Sequence, residues 1–367
     1  MRLCRILIIV FIILCGSEAP AYLAVNPATE SQGRIGVFGD PIPDLSPSEL
    51  RTFQSGYQLF IKTWKQGSTA RKRVLNGLSC IECHVEPMPG GSGTVPRTYV
   101  LLSHLVADST GGHVFRRFTV LEDGALQSVA PPRDYSLRKT PALFGLGLLE
   151  AAPHTSHSDE GSIEMTGAFG WRGEVSSIQG FVERAFASEI GLRTPQFNFD
   201  DEEARDDLTG VSKAEVSSGE ILLVTAFLRF LGPPRPKRPD FLTLQGAKVF
   251  EEIGCGTCHS STLQTGNSDV PALKFRVIHP YSDLRTHQMG PSLADCEDEK
   301  IDRCGWFRTA PLWGLTSTGP PFMHDARAQT VEEAIQVHGG EARNSVVAYE
   351  SLGVVQRAAL LDFLNSL

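Results

Sequence analysis

The string Cys80-Ile81-Glu82-Cys83-His84 recurs, with the same spacing of cysteine and histidine, as Cys255-Gly256-Thr257-Cys258-His259. Cys-x-x-Cys-His attaches c-type haem, because the two thiols add to its vinyl groups and the adjacent histidine binds the iron. A thioredoxin-like redox pair does not need the histidine, and the knuckles of a zinc ribbon usually lie within ~15–20 residues of each other. These strings are much farther apart. The sequence therefore predicts two covalently bound haem c groups, with attachment by Cys80, Cys83, Cys255 and Cys258 and proximal iron ligands His84 and His259.

The N-terminus has the features of a signal peptide. Two arginines precede an apolar run over residues 6–14, and residues 19–21 form an A-x-A cleavage site. The apolar run is shorter than the ~20 residues that span a bilayer. We therefore predict a signal peptide over residues 1–21 and a periplasmic mature chain without a transmembrane segment. The alternatives are an uncleaved anchor and a lipoprotein signal that uses Cys15.

Charge and cysteine content narrow the function further. The 367 residues carry a formal net charge of −8, which argues against a nucleic-acid partner. Of the eight cysteines, two lie in the signal peptide and four in the haem motifs. The remaining two, Cys296 and Cys304, are predicted to form a disulfide in an oxidising compartment; the alternative is two free buried thiols.

A proline-rich segment, residues 232–239, divides the mature chain, because no helix can continue through it. The predicted domains are residues 22–231 and 240–367. Four elements occur in the same order in both, and each pair is given first half before second. The first is an amphipathic helix before the motif (46–64, with a capping box at residues 46–49, and 245–253, with Gly254 as its C-terminal stop). The second is a string with an apolar-Gly-Leu ending (138–146 and 308–315). The third is a helix N-capped by Ser177 or Thr330, and the fourth an apolar terminal helix (221–231 and 355–367). The predicted fold is mainly α, with two cytochrome c-like helical domains related by internal duplication and with long loops.

The duplication allows the sixth iron ligand to be sought by register. Fourteen residues after His324 the second half has His338, whereas fourteen residues after Trp171 the first half has Ala185. A sixth protein ligand is typical of an electron carrier, and an open position admits small oxidants. We therefore predict His338 as an iron ligand and an open or loosely capped first haem. The alternative for His338 is a surface histidine at a helix end.

Glu189 lies one helical turn after Ala185 and should project from the same face. A carboxylate above an open haem position can carry a proton from one peroxide oxygen to the other, as peroxide cleavage requires. The alternative is a solvated charge at a helix end.

Several strings resemble a known superfamily. Residues 307–312 and 321–325 resemble bacterial di-haem cytochrome c peroxidases and the related methylamine dehydrogenase maturation enzyme. Residues 281–295 and 338–342 look more like the di-haem oxidoreductase branch, sometimes labelled thiol oxidoreductases. The resemblance spans roughly residues 50–367. It implies that the N-terminal haem meets peroxide and the C-terminal haem relays electrons, with Trp171 as the tryptophan between the haems and Glu189 in the distal pocket.

The sequence also departs from the peroxidases. They have methionine where this chain has His338, and a distal glutamine where it has Phe181. Because methionine ligation raises the reduction potential, a bis-histidine haem should be a weaker oxidant. Met289 is a rival ligand on spacing alone. In resting peroxidases a loop histidine occupies the first iron, and His104 or His113 are the candidates here.

We therefore predict a periplasmic di-haem oxidoreductase. It would react with hydrogen peroxide or a related oxidant at the His84 haem, and exchange electrons through the His259 haem with a small redox protein or another donor. The alternatives are a pure electron-transfer cytochrome and an oxidase that modifies a partner protein.

Overall fold

A computed structural model describes residues 38–65, 73–93, 98–101, 114–115, 117–121, 123–130, 135–153, 168–196, 214–294 and 304–367. The predicted signal peptide, His104, His113 and Cys296 lie outside these ranges. Helices predominate in the described part, in agreement with the predicted class. They are α1 (Pro47–Phe60), α2 (Leu146–Glu150), α3 (Ile178–Ala185), α4 (Ser218–Phe230), α5 (Phe241–Glu252), α6 (Val331–Val337), α7 (Arg343–Glu350) and α8 (Val354–Ser366).

The strands are short and all their pairings are antiparallel. They are β1 (Arg73–Leu75), β2 (Thr98–Leu101), β3 (Val114–Phe115), β4 (Phe118–Val120), β5 (Leu126–Ser128), β6 (Tyr135–Arg138), β7 (Leu263–Gln264), β8 (Val277–Ile278), β9 (Thr286–Gln288) and β10 (Trp306–Arg308). Their sheet orders are β1-β4-β5, β3-β2-β6, β7-β8 and β10-β9. No helix in the described ranges is long and apolar enough to cross a membrane.

The helix before each motif begins at a side-chain cap. At α1 the predicted capping box is confirmed: the Glu49 N–H donates to the Ser46 hydroxyl, and the Ser46 N–H donates to the Glu49 carboxylate at 2.6 Å. Helix α5 begins four residues earlier than the sequence predicted. Its first residue is Phe241, because the Asp240 carboxylate accepts the Thr243 N–H at 3.0 Å and so caps the helix.

In the first half, α1 packs against α4 through a glycine. A methyl group on Gly56 would lie 2.0 Å from the Leu223 carbonyl oxygen, so only glycine permits the observed approach of the two backbones. The rings of Phe60 and Phe227 meet beside this contact, with 5.0 Å between their centroids.

The second half has the same contact between α5 and α8. A methyl group on Gly246 would lie 1.9 Å from the Ala359 carbonyl oxygen. The rings of Phe250 and Phe363 are 5.3 Å apart. In each half, therefore, the helix that precedes the Cys-x-x-Cys-His motif crosses the terminal helix at a glycine.

The shared string also makes matching hydrogen bonds in the two halves. Gly145 N–H donates to Leu231 O at 2.8 Å, and Gly314 N–H donates to Leu367 O at 2.9 Å. Both glycines have a left-handed φ, of 75° and 70°, which only glycine adopts without strain. Each string therefore docks on the residue that follows its own terminal helix.

The hydrophobic core is not divided at the proline-rich segment. Val270, Leu273 and Ile278 of the second half lie in the same buried cluster as the residues of α1 and α4. The backbone of residues 263–278 is also hydrogen-bonded to the first half, because Gly266 N–H donates to Ala151 O at 2.7 Å. Residues 263–278 thus contribute to the core of the first half.

Candidate functional site

Each Cys-x-x-Cys-His string forms a single turn of 3-10 helix, over Cys80–Glu82 and Cys255–Thr257. Residues three apart eclipse in this helix, so both cysteines of a motif face the same side. None of these four cysteines forms a disulfide. Burial raises the pKa of Cys80 and of Cys255 to about 12, which keeps these thiols protonated.

Backbone carbonyls orient the imidazole of each motif. Nδ1 of His84 lies 3.0 Å from Pro141 O and 3.2 Å from Gly91 O, and Nδ1 of His259 lies 2.9 Å from Tyr281 O. A carbonyl accepts only, so Nδ1 must carry the proton, which leaves Nε2 as the nitrogen that can bind a metal. Burial lowers the pKa of both histidines to about 4 and keeps the rings neutral, as metal ligation requires.

These features fit haem better than zinc. In the described ranges no group of three or more His, Cys, Asp or Glu side chains is arranged to hold a metal ion. Haem iron needs only one or two protein ligands, because the macrocycle supplies the other four. A ring from the crossed helices also lies behind each histidine, with 6.4 Å between Phe60 and His84 and 6.4 Å between Phe250 and His259.

His338 is the residue predicted as the second ligand in the half that contains His259. It follows α6, whose predicted N-cap at Thr330 is confirmed, and leaves the helix with an extended ψ of 138°. Its Nδ1 lies 2.6 Å from Ala334 O, so Nε2 is again the nitrogen left to bind a metal. The pKa of His259 is lowered mainly by burial, and the charge of His338 lowers it further.

The corresponding helix of the first half ends differently. Helix α3 is capped by Ser177 as predicted and ends at Ala185, after which Phe186–Ile190 form a π-helical turn. Phe181, the predicted replacement for the distal glutamine, is half-buried on α3. Single π-helical turns are frequent at functional sites.

The π-helical turn brings Glu189 to the segment before the first motif. Its Oε2 accepts the side-chain amide of Asn76 at 2.8 Å, and its backbone carbonyl accepts the N–H of Asn76 at 2.7 Å. Asn76 is buried and lies four residues before Cys80. Sequence reasoning missed Asn76, because an asparagine before a turn carries no pattern that marks it as functional.

Trp171 lies where the two halves meet. Its Nε1 donates to Lys139 O at 3.0 Å, and its ring packs edge-on against His324 with 6.4 Å between centroids. Two backbone hydrogen bonds cross this junction reciprocally: Lys139 N–H to His324 O, and Arg308 N–H to Trp171 O, both at 2.8 Å.

The junction contains a buried cation, Lys139, and a half-buried one, Arg308. The ammonium of Lys139 donates to Thr318 O at 2.8 Å, and Nε of Arg308 donates to Gly170 O at 3.0 Å. Burial lowers the pKa of Lys139 to about 8 and that of Arg308 to about 10. The sequence did not indicate that Lys139 and Arg308 would both lie at this junction.

Two further predictions concern the second half. Met289, the rival ligand, lies against the turn after His338, because a methyl group on Gly339 would stand 2.8 Å from Met289 O. Cys304 is disulfide-bonded, and its predicted partner Cys296 lies outside the described residues.

Residues 231–367 match the family model described as "Di-haem oxidoreductase, putative peroxidase". The resemblance inferred from the sequence is thereby confirmed for the second half, which is similar to the di-haem oxidoreductase family. No curated protein matches the chain.

Solved structures with remote similarity include hydrazine synthase of Kuenenia stuttgartiensis, at 15% identity and a TM-score of 0.48, covering 92% of this chain and 97% of that one. A MauG-like protein associated with microbial copper homeostasis has 17% identity and a TM-score of 0.45, with 88% and 90% covered. The diheme peroxidase BthA from Burkholderia thailandensis has 15% identity and a TM-score of 0.47, with 94% and 88% covered. Similarity at this level is too low to support a statement about function.

Proposed function

We propose that this protein is an exported di-haem c-type cytochrome oxidoreductase whose first haem reacts with peroxide or a related oxidant and whose second haem relays electrons. The observation that carries the proposal is the different end of two corresponding helices. Helix α6 ends at His338, which influences the pKa of His259 electrostatically, whereas α3 ends at Ala185.

The two 3-10 turns support covalent attachment. Cys80 and Cys83 would hold one haem and Cys255 and Cys258 the other, through thioether bonds. His84 and His259 would be the proximal ligands, supported by their buried, neutral rings and their carbonyl-bound Nδ1 atoms. When bound, haem supplies an iron that changes oxidation state by one electron.

In the first site the chain itself would supply proton transfer. Ala185 has no group that can bind iron, so a small oxidant can enter above the haem. Glu189 would accept a proton from one peroxide oxygen and return it to the other. The amide of Asn76 fixes one carboxylate oxygen of Glu189, which holds the proton-carrying group beside the first motif.

Trp171 would lie on the route between the two sites. Its indole N–H is fixed by Lys139 O, and its ring contacts His324, which comes from the corresponding position of the other half. The matching glycine contacts, docked strings and reciprocal hydrogen bonds support an internal duplication with domains over residues 22–231 and 240–367.

Export to the periplasm is part of the proposal. It rests on the sequence of residues 1–21 and on the disulfide at Cys304, because disulfides persist in oxidising compartments. The electron donor would be a small redox protein or another reductant.

Frozen-solution EPR of the ferric protein, combined with cyanide titration, tests the proposal. We expect one high-spin and one low-spin haem, one cyanide bound per chain, and oxidation by peroxide. Two low-spin signals, no bound cyanide and no reaction with peroxide would establish a pure electron carrier instead. Mass spectrometry should show two haem additions, one lost in Cys83→Ala and the other in Cys258→Ala.

A further inference from the structure

Beside the second motif lies a group of three side chains that the proposed function does not use, here called the carboxylate–histidine cluster: Asp283, His287 and Glu341. Nε2 of His287 lies 2.8 Å from Asp283 Oδ2, and its Nδ1 lies 2.7 Å from Glu341 Oε2. Ionised carboxylates only accept hydrogen bonds, so both ring nitrogens carry protons and His287 is an imidazolium. The hydrogen bond to Asp283 first, and then that to the Cys258 side chain, raise the pKa of His287 to about 11.

One end of the cluster is fixed to the proximal side of the second site. The N–H of Asp283 donates to the carbonyl of Cys258 at 2.8 Å, so the backbone of Asp283 is bonded directly to the haem-attachment motif. The Asp283 side chain is 14% exposed, and its Oδ1 accepts the Arg285 N–H at 3.0 Å. Both of its oxygens are therefore held in place.

The other end is fixed to the turn that carries His338. Glu341 follows His338 by three residues, and its Oε1 accepts the Gln288 N–H at 2.8 Å. The same turn approaches β9 so closely that a methyl group on Gly340 would lie 1.9 Å from Gln288 O. His287 is itself a residue of β9. The cluster therefore connects the segment that is bonded to the second motif with the turn that follows His338.

The first half has no such cluster at the corresponding positions. Gly93 corresponds to Asp283, since each follows the serine whose hydroxyl donates to the docked string. Thr98 corresponds to His287, since Thr98 in β2 pairs with Arg138 in β6 and His287 in β9 pairs with Phe307 in β10. Ser188 follows Ala185 by three residues, as Glu341 follows His338. The half without the histidine ligand thus has no ionisable residue at any of the three positions.

We infer that His287 is a positioning residue. Through Asp283 and Glu341 it holds the turn after His338 against the segment that is bonded to the second motif, and so keeps the second site closed to small ligands. The inference rests on the proposed function, because it takes His338 to be the sixth ligand. Charge-assisted hydrogen bonds are stronger than neutral ones, and two of them converge on one ring that is 14% exposed.

The test is His287→Ala in the haem-loaded protein, with Glu341→Gln as a milder variant that keeps hydrogen-bond acceptors but removes a charge. In His287→Ala we expect the population with His338 dissociated to rise at least about tenfold, from the loss of two charge-assisted bonds. A second high-spin EPR signal should appear, and cyanide binding should rise from one toward two per chain. Glu341→Gln should give a smaller change in the same direction.

Ser188→Ala, at the position corresponding to Glu341, is the matched control and should leave the second haem low-spin. If His287→Ala keeps a low-spin second haem and binds one cyanide, the positioning role is wrong while the proposed function stands. If His338→Ala does not alter the second haem either, the ligand assignment fails first. Should His287→Ala not fold, Asp283→Asn must open the second site, and an unchanged second haem in that variant would equally overturn the inference.

Discussion

The corresponding helices α3 and α6 end in different ways, because different residues follow each helix. After α6 come Gly339 and Gly340, which break the helix and allow a close approach to β9. His338 is therefore released from the helix in an extended conformation, with its Nδ1 held by the carbonyl of Ala334. After α3 the sequence Phe-Ala-Ser-Glu-Ile continues as a π-helical turn, so Ala185 stays on the helix.

Under the proposed function, the two haem sites would differ although the helix crossings around them are alike. The glycine crossings, the docked strings and the phenylalanine behind each motif histidine are the same in both halves. Among the described residues, one difference lies at and after positions 185 and 338, where the two helices end.

The largest effect should come from making the first helix resemble the second. Ala185→His places an imidazole where the first half has a methyl group, and should convert the open haem into a six-coordinate carrier. We expect complete loss of cyanide binding and peroxide reactivity, with two low-spin EPR signals. Ala185→Leu is the control, because it adds volume without a ligand and must leave the first haem high-spin. Retained cyanide binding in Ala185→His would show that residue 185 does not face the iron.

The second prediction concerns the Glu189 carboxylate at the first site. Glu189→Gln should slow the reaction with peroxide by ~10²–10⁴-fold, the usual contribution of a general acid–base group, with both haems still attached. Stopped-flow absorbance measures this rate. Asn76→Ala should slow it about tenfold, because it removes one hydrogen bond that positions the carboxylate. Glu86→Gln, which changes an exposed carboxylate near the same motif, should have no effect; a normal rate in Glu189→Gln would place the acid–base residue elsewhere.

The parts of this molecule that local chemistry determines were predictable from the sequence. The capping box at Ser46, the caps at Ser177 and Thr330 and the left-handed Gly254 after α5 depend on neighbouring residues and are confirmed. The start of α5 was placed too late, because Asp240 was not recognised as a cap beside the proline-rich segment.

Contacts between distant segments left no such signal. Asn76 and Glu189, or His287 and Glu341, are far apart in the sequence and are joined by single hydrogen bonds. A single chain has no pattern that reveals such pairs. The contribution of residues 263–278 to the core of the first half was missed for the same reason, since an apolar segment does not indicate which half it packs against.

The third prediction concerns His338 as the ligand of the second haem. His338→Met replaces imidazole with a thioether, which favours the reduced iron, so the midpoint potential of the second haem should rise by on the order of 100 mV. Spectroelectrochemical titration measures both haems in one experiment. The potential of the first haem should remain unchanged, and Met289→Leu should alter neither. A shift in Met289→Leu with none in His338→Met would reverse the ligand assignment.

The last prediction tests the scaffold that the halves share, and its expected effect is the smallest. Gly56→Ala and Gly246→Ala each place a methyl group about 2 Å from a carbonyl oxygen of the crossing helix, so the two helices must separate. Such overpacking typically costs about 1–3 kcal/mol, more than the gain in helix propensity returns. Gly219 in α4 is the control, because a methyl group there meets no atom within 4 Å and Gly219→Ala should stabilise α4 by up to about 1 kcal/mol. Urea unfolding of the haem-loaded protein measures all three, and the two crossing variants should lose similar free energy of unfolding. If Gly56→Ala were neutral while Gly246→Ala was destabilising, the crossings would not be equivalent, and the argument from register that pairs Ala185 with His338 would lose its structural support.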